Sequence, residues 1–176
     1  MNQPRLIVVT GRPGSGKTTL ARLLAKRIHC PLLCRDEFKE GLVTTMNRSH
    51  EELGTEANWK LYETFFEAVE LMTSNGISVV VEAAFQNKLW APKLKLLQET
   101  SRLSIIVCTV DPLVAQARFI ARGLADPTRE RFHGDKAVPA EDYDPPRLSV
   151  PTLNVDTTEG YRPNMEEIVS FALMST

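Results

Sequence analysis

The octapeptide Gly11-Arg12-Pro13-Gly14-Ser15-Gly16-Lys17-Thr18 fits the pattern G-x-x-x-x-G-K-[ST] and follows directly on an apolar run, Leu6-Ile7-Val8-Val9. A helical pattern begins straight after it, so the motif reads as a phosphate-binding loop between a buried strand and a helix. Glycines at 11, 14 and 16 free the backbone to turn successive N–H groups inward, forming a nest that the helix N-terminus reinforces. Lys17 supplies a point charge for β- and γ-phosphates, and Thr18 offers a hydroxyl to Mg²⁺. An ordinary glycine-rich turn would explain the glycines but not the Lys-Thr pair in this context.

The loop constrains the rest of the chain, because such a loop needs a parallel sheet behind it. Short apolar runs at Leu6–Thr10, Pro31–Cys34, Ile77–Glu82, Leu103–Val110 and Thr152–Val155 read as five buried strands. Helical periods lie between and after them, at Lys17–Ile28, Asp36–Met46, Thr55–Ser74, Leu89–Glu99, Pro112–Arg122 and Pro163–Met174. Asp111 is placed to cap the fifth of these, with Pro112 in its first helical position. In the third, Trp59, Tyr62, Phe65, Phe66, Val69 and Met72 share one face, and Asn75-Gly76 supplies the stop. Alternating strands and helices imply an α/β fold of three layers, helices covering both faces of a mostly parallel sheet. At 176 residues the chain reads as a single domain over residues 1–176.

Gly123–Pro151 breaks the alternation. It holds Pro127, Pro139, Pro145, Pro146 and Pro151, no sustained apolar period, and the charges Asp126, Arg129, Glu130, Arg131, Asp135 and Lys136. A segment of this length in a compact domain is usually functional or disordered. Beside a nucleotide site, residues 123–151 read as an Arg-rich lid.

Composition excludes several classes. Formal net charge is −1, with 21 basic and 22 acidic residues, so the chain lacks the overall footprint of a dedicated nucleic-acid binder. No apolar stretch approaches the roughly 20 residues that span a bilayer, and the first strand starts too early to leave a signal segment. A soluble, cytoplasmic protein is the expectation, as monomer or weak homodimer. Cys30, Cys34 and Cys108 are odd in number and lie in apolar surroundings, which reads as reduced core thiols rather than disulfides or a zinc site. His29, His50 and His133 lack any partner motif, so none is assigned a catalytic role.

A phosphate loop leaves kinase, motor and switch open. An N-K-x-D base-reading motif is absent, and motors usually need a larger core. The segments Gly11–Thr19, Cys34-Arg35-Asp36-Glu37-Phe38-Lys39, Val79-Val80-Val81-Glu82-Ala83, Arg118-x-x-x-Arg122 and Val155-Asp156-Thr157-Thr158 together resemble the small P-loop kinases. That family includes polynucleotide 5′-kinases, chloramphenicol phosphotransferases, gluconate kinases and zeta toxins. The resemblance covers most of the chain in patches, and only the phosphate loop is highly specific.

The resemblance implies a five-stranded sheet in the order 2-3-1-4-5 and ATP- and Mg²⁺-dependent phosphorylation of a hydroxyl. It places ATP against Gly11, Arg12, Pro13, Gly14, Ser15, Gly16, Lys17, Thr18 and Thr19, with Arg118, Thr157 and Thr158 near the base. Asp36 then accepts the proton of the attacking hydroxyl, although an aspartate there is also a good helix cap. Glu82, where the family more often has aspartate, either serves Mg²⁺ together with Thr18 or forms a structural ion pair. Arg118 and Arg122 lie one turn apart, either serving the nucleotide or forming a basic helix end. Arg122, Arg129 and Arg131 are the candidates for charge on the transferring phosphoryl.

The acceptor is expected to be a small-molecule hydroxyl compound in a pocket bracketed by residues 36–59 and 85–90, with Arg48, His50, Trp59, Tyr62, Phe85, Gln86 and Asn87 as candidates. Arg35 reads either as a contact to acceptor or phosphate or as a surface charge. A polynucleotide 5′-hydroxyl kinase is the alternative, with nucleic acid as a 5′-end substrate. A nucleotide-binding regulatory module without acceptor is a second alternative, and a zeta-like toxin acting on a sugar nucleotide a third.

Overall fold

The computed structural model describes residues 3–133 and 143–174. Five parallel strands form one sheet in the order β2-β3-β1-β4-β5: β1 Arg5–Gly11, β2 Leu32–Cys34, β3 Val79–Glu82, β4 Arg102–Thr109 and β5 Thr152–Asp156. The helices are α1 Lys17–Ile28, α2 Arg35–Met46, α3 Gly54–Ser74, α4 Asn87–Leu97, α5 Pro112–Ala125, α6 Arg129–His133 and α7 Met165–Leu173. The expected fold class and strand order are both present.

Period-two alternation explains the three layers. Leu6 and Val8 of β1 turn to one face, where Val79, Val81, Ile105 and Val107 pack against Phe65, Phe66 and Val69 of α3 and Trp90 and Leu94 of α4. Ile7 and Val9 turn to the other, against Leu20 and Leu24 of α1 and Ile168 of α7. The central strands β1 and β3 are buried on both faces and so read as short apolar runs, whereas β5, also expected to be buried, is an edge strand with only Val155 fully covered.

Register brings the carboxyl ends of the central strands level: Glu82 of β3 pairs with Val9 of β1 and with Cys34 of β2. Ligands in open α/β sheets bind beyond these ends. The loop after β1, the start of α2 after β2, and the end of β3 therefore converge.

Several boundaries differ from expectation. Helix α7 starts at Met165, two residues late, because Asn164 and Glu167 form a reciprocal capping box. Helix α4 starts at Asn87, two residues early, because the Asn87 N–H donates to the Asp144 carbonyl at 2.7 Å. Helix α5 runs on to Ala125, and the short α6 was not foreseen. Trp59 does not belong to the buried face of α3: it is 57% exposed and stacks on Tyr62 at 4.9 Å.

Residues 123–151 divide into parts. Asp135, Lys136 and Pro139 lie outside the described residues. Tyr143, Leu148 and Val150 pack onto the sheet, a firm docking where the sequence suggested only lid. The Tyr143 hydroxyl pairs with that of Thr10 and donates to the Phe85 carbonyl, while Trp90 Nε1 also donates to Thr10 Oγ1 at 3.1 Å. Burial pushes the Tyr143 phenol up to about 12, so it stays a neutral hydrogen-bonding group.

Candidate active site

The phosphate loop takes the shape its glycines permit. Gly14 and Gly16 sit at φ 80° and 74°, and a Cβ on Gly14 would lie 2.4 Å from the Ala115 carbonyl oxygen. The loop thus packs against the first turn of α5 with no room for a side chain. Ser15 N–H donates to the Arg12 carbonyl at 3.1 Å, closing the turn, and Thr157 Oγ1 donates to the Ser15 carbonyl at 2.7 Å. Pro13 is exposed, whereas Ser15 is buried with its hydroxyl unpartnered among the described residues.

Lys17 and Thr18 open α1 and face the end of β3. Lys17 Nζ lies 3.7 Å from Glu82 Oε1, and Thr18 Oγ1 donates to Glu82 Oε2 at 3.1 Å. Glu82 is only 2% exposed, and burial raises its carboxyl against the opposing pull of Lys17. The two readings of Glu82 are therefore compatible: it is buried and paired, and it is also the oxygen donor nearest Thr18. A hydroxyl and one carboxylate suit a hard divalent cation that keeps waters and phosphate oxygens as its other ligands. The residues present fit Mg²⁺ in that mode. No cluster of three or more His, Cys, Asp or Glu forms a metal site of its own among the described residues.

Asp36 lies across the loop from Lys17. Helix α2 begins at Arg35 with Cys34 in the cap position, so Asp36 is inside the first turn and not its cap. Burial works to raise its carboxyl, but the charges of Lys17, Arg35, His133 and Lys39 outweigh it and hold it below the ordinary value. The side chain keeps 49% exposure and meets Arg35 Nη1 at 3.5 Å. An ionised, accessible carboxylate beside the phosphate-loop lysine is placed to orient a hydroxyl.

On the other side, Arg118 Nη2 donates to the carbonyls of Thr157 and Thr158 at 2.8 and 2.9 Å. Gly16, Thr19, Arg118, Thr157, Gly160 and Tyr161 line an open cleft of about 330 Å³. Of the residues expected beside the base, Arg118 and Thr157 line this cleft, and Thr158 joins them only through its carbonyl bond to Arg118. Arg122 lies over the Phe119 ring at 5.7 Å, and the Arg129 N–H caps onto the Asp126 carbonyl at 3.1 Å. Arg131 is directed elsewhere: its guanidinium donates to Asn47 Oδ1 at 3.1 Å and approaches the Arg48 carbonyl at 3.5 Å.

Other sequence candidates find different partners. Gln86 Oε1 and Asn87 Oδ1 accept the N–H groups of Asp144 and Arg147, holding the returning chain. The Tyr62 hydroxyl donates to the Leu89 carbonyl. Cys30, Cys34 and Cys108 are free thiols, and burial pushes Cys108 up to about 12, out of the reactive range. Lys39, 4% exposed on α2, was missed as a site residue. Its one available signal was a lysine one turn after Asp36. No described helix is long and apolar enough to cross a membrane.

Comparison with known proteins finds the same fold. A kinase candidate from Chloroflexus aurantiacus J-10-fl superposes with a TM-score of 0.81 at 28% identity, covering 97% of each chain. The Mycobacterium tuberculosis APS kinase, solved with AMPPNP and APS, gives 0.68 at 17% identity over 97% of this chain and 98% of its own. A gluconokinase from Sinorhizobium meliloti 1021 gives 0.56 at 20% identity, covering 98% and 91%. No curated protein matches the chain. The family described as "AAA domain" matches residues 6–138, a span from the first strand through α6, and with its phosphate loop on a 2-3-1-4-5 sheet the chain belongs to that family in P-loop kinase-like form.

Proposed function

We propose that the protein is an ATP- and Mg²⁺-dependent kinase that transfers the γ-phosphoryl group to a hydroxyl of a small molecule. One observation carries the reading: Lys17 lies 3.7 Å from Glu82 Oε1, and its charge also favours the ionised form of Asp36. Phosphate-binding, metal-side and acceptor-side groups thus meet at one lysine. The three structural relatives above are kinases or a kinase candidate, which supports the reaction class.

In this reading the loop amides and Lys17 hold the β- and γ-phosphates, and the Arg118 side of the cleft receives the base. Bound Mg²⁺ supplies charge neutralisation across the phosphates. Asp36 aligns the acceptor hydroxyl and takes its proton as the oxygen bonds to γ-phosphorus. The bond from γ-phosphorus to the bridging oxygen breaks, giving ADP and a phosphomonoester. Arg122 on α5 and Arg129 on α6 are the candidate cations for the transferring group, and Arg131 joins them only if it leaves Asn47.

The test is a pooled screen of hydroxyl compounds for transfer of labelled γ-phosphate from ATP. Transfer to a small molecule is the expected result. A 5′-hydroxyl oligonucleotide phosphorylated efficiently at moderate salt would replace this reading with the polynucleotide kinase. Nucleotide binding without any acceptor-stimulated turnover would favour a regulatory module.

A further inference from the structure

Behind Asp36, the start of α2 and the chain entering α3 bring Arg35, Lys39, His50 and His133 into one group. Arg35 sits with its guanidinium 5.8 Å from the Phe85 ring centre, and its Nε is buried without a partner among the described residues. Only Nη1 is engaged by Asp36, at the long distance of 3.5 Å. One turn along α2 comes the buried Lys39. From the facing segment comes His50, whose Nδ1 is likewise buried and unpartnered, held in place by its N–H bond to the Arg131 carbonyl at 2.7 Å. His133 closes the group, bound to Glu40 at 2.8 Å.

The groups act on one another. Burial first, then the charges of Lys39, Arg35 and His133, lower the basicity of His50, with Glu51 the one opposing acid. Three of those cations also act on Asp36. A buried donor left without an acceptor is destabilising, so two in one small region call for a compensating ligand. A neutral imidazole protonated on Nδ1 and a guanidinium Nε–H are both donors, and two unused donors in one place are complementary to an oxyanion.

We infer that the acceptor is itself anionic: a compact hydroxyl compound bearing a carboxylate or phosphomonoester, its oxyanion held by Arg35, Lys39 and His50 while its hydroxyl faces Asp36. This rests on the kinase reading above and names the chemistry of its acceptor site.

The experiment fills the nucleotide site first. Protein saturated with AMPPNP and Mg²⁺ is titrated with inorganic sulfate by calorimetry, so that the phosphate loop is already taken. Sulfate is expected to bind, and Arg35→Gln or His50→Gln to weaken it about 10-fold or more, the usual worth of a charge-assisted bond, with AMPPNP affinity changed less than about twofold. Glycerol 3-phosphate and glycerate then compete against sulfate, with glycerol as the neutral counterpart. Displacement by the first marks a phosphomonoester site, and by the second a carboxylate site. No sulfate binding by the nucleotide-saturated protein, unchanged affinity in both variants, or displacement by glycerol as readily as by the anions overturns the inference. Should either glutamine variant fail to fold, the wild-type competition decides alone. Failure of AMPPNP itself to bind would instead sink the kinase reading.

Discussion

Thr18 Oγ1 donates to Glu82 Oε2 at 3.1 Å, tying the first turn of α1 to the carboxyl end of β3. With Lys17 on the other oxygen of the same carboxylate, the residue that would serve a cation is already held by the residues that would share it.

Glu82→Gln keeps this shape and removes the charge. Because burial raises the Glu82 carboxyl above its ordinary value, ionising it costs the ligand-free fold stability as pH rises through that raised value. Near neutral pH without ligand, relief of that buried charge opposes the loss of its pair with Lys17, so the melting temperature should change little. The variant should gain less than wild type when ATP and Mg²⁺ are added together. Parallel melting curves with and without Mg²⁺ check both.

Lys17→Ala should abolish most transfer, the lost contacts costing on the order of 3 kcal/mol in the transition state, or about 10²-fold in rate. Single-turnover rates on protein shown to be folded measure it. Unchanged turnover would remove the phosphate loop from the chemistry.

For Asp36→Asn, nucleotide affinity should survive while transfer falls about 10²-fold or more. Since Cys34, not Asp36, occupies the cap position of α2, no cap-sized loss of stability should accompany it. The lowered basicity of Asp36 also has a sign: it is deprotonated above its depressed value, so activity should hold as pH falls toward the usual carboxylate range and decline only below it. A rate profile with an acid limb near neutrality would assign the base elsewhere.

Two glycines separate space from strain. Gly14→Ala places a methyl 2.4 Å from the Ala115 carbonyl and should both destabilise the fold and cost nucleotide affinity. Gly16→Ala meets nothing closer than Thr157 Oγ1 at 3.8 Å, so only its positive φ opposes it, at about 1–2 kcal/mol. Calorimetric titration of both variants with AMPPNP should rank Gly14→Ala as the worse by far.

Much of this site was readable because its signals are local. The phosphate loop, the apolar strands, Asp36 past β2 and Glu82 at the end of β3 each declare themselves within a few residues. What escaped depends on partners far along the chain. Nothing near Arg131 announces Asn47, nothing near Asn87 announces Asp144, and the buried face of α3 runs out at Trp59 for want of a sheet beneath it. Lys39 carries no signal in the sequence beyond its spacing from Asp36, and His50 is one of several acceptor-pocket candidates; they become a cluster only when α2 and the entry to α3 are laid together.

The Tyr143 anchorage on Thr10 and Phe85 has an architectural consequence. His133 is moored to Glu40 on one side, and Tyr143 is moored at the root of the phosphate loop on the other, so the connection 134–142 leaves and returns at fixed points. Doubling the length of a connection with fixed ends costs only about 0.6 kcal/mol in closure entropy. Length added between His133 and Tyr143 is thus nearly free thermodynamically, and it leaves the Tyr143 anchorage at the root of the phosphate loop as it is.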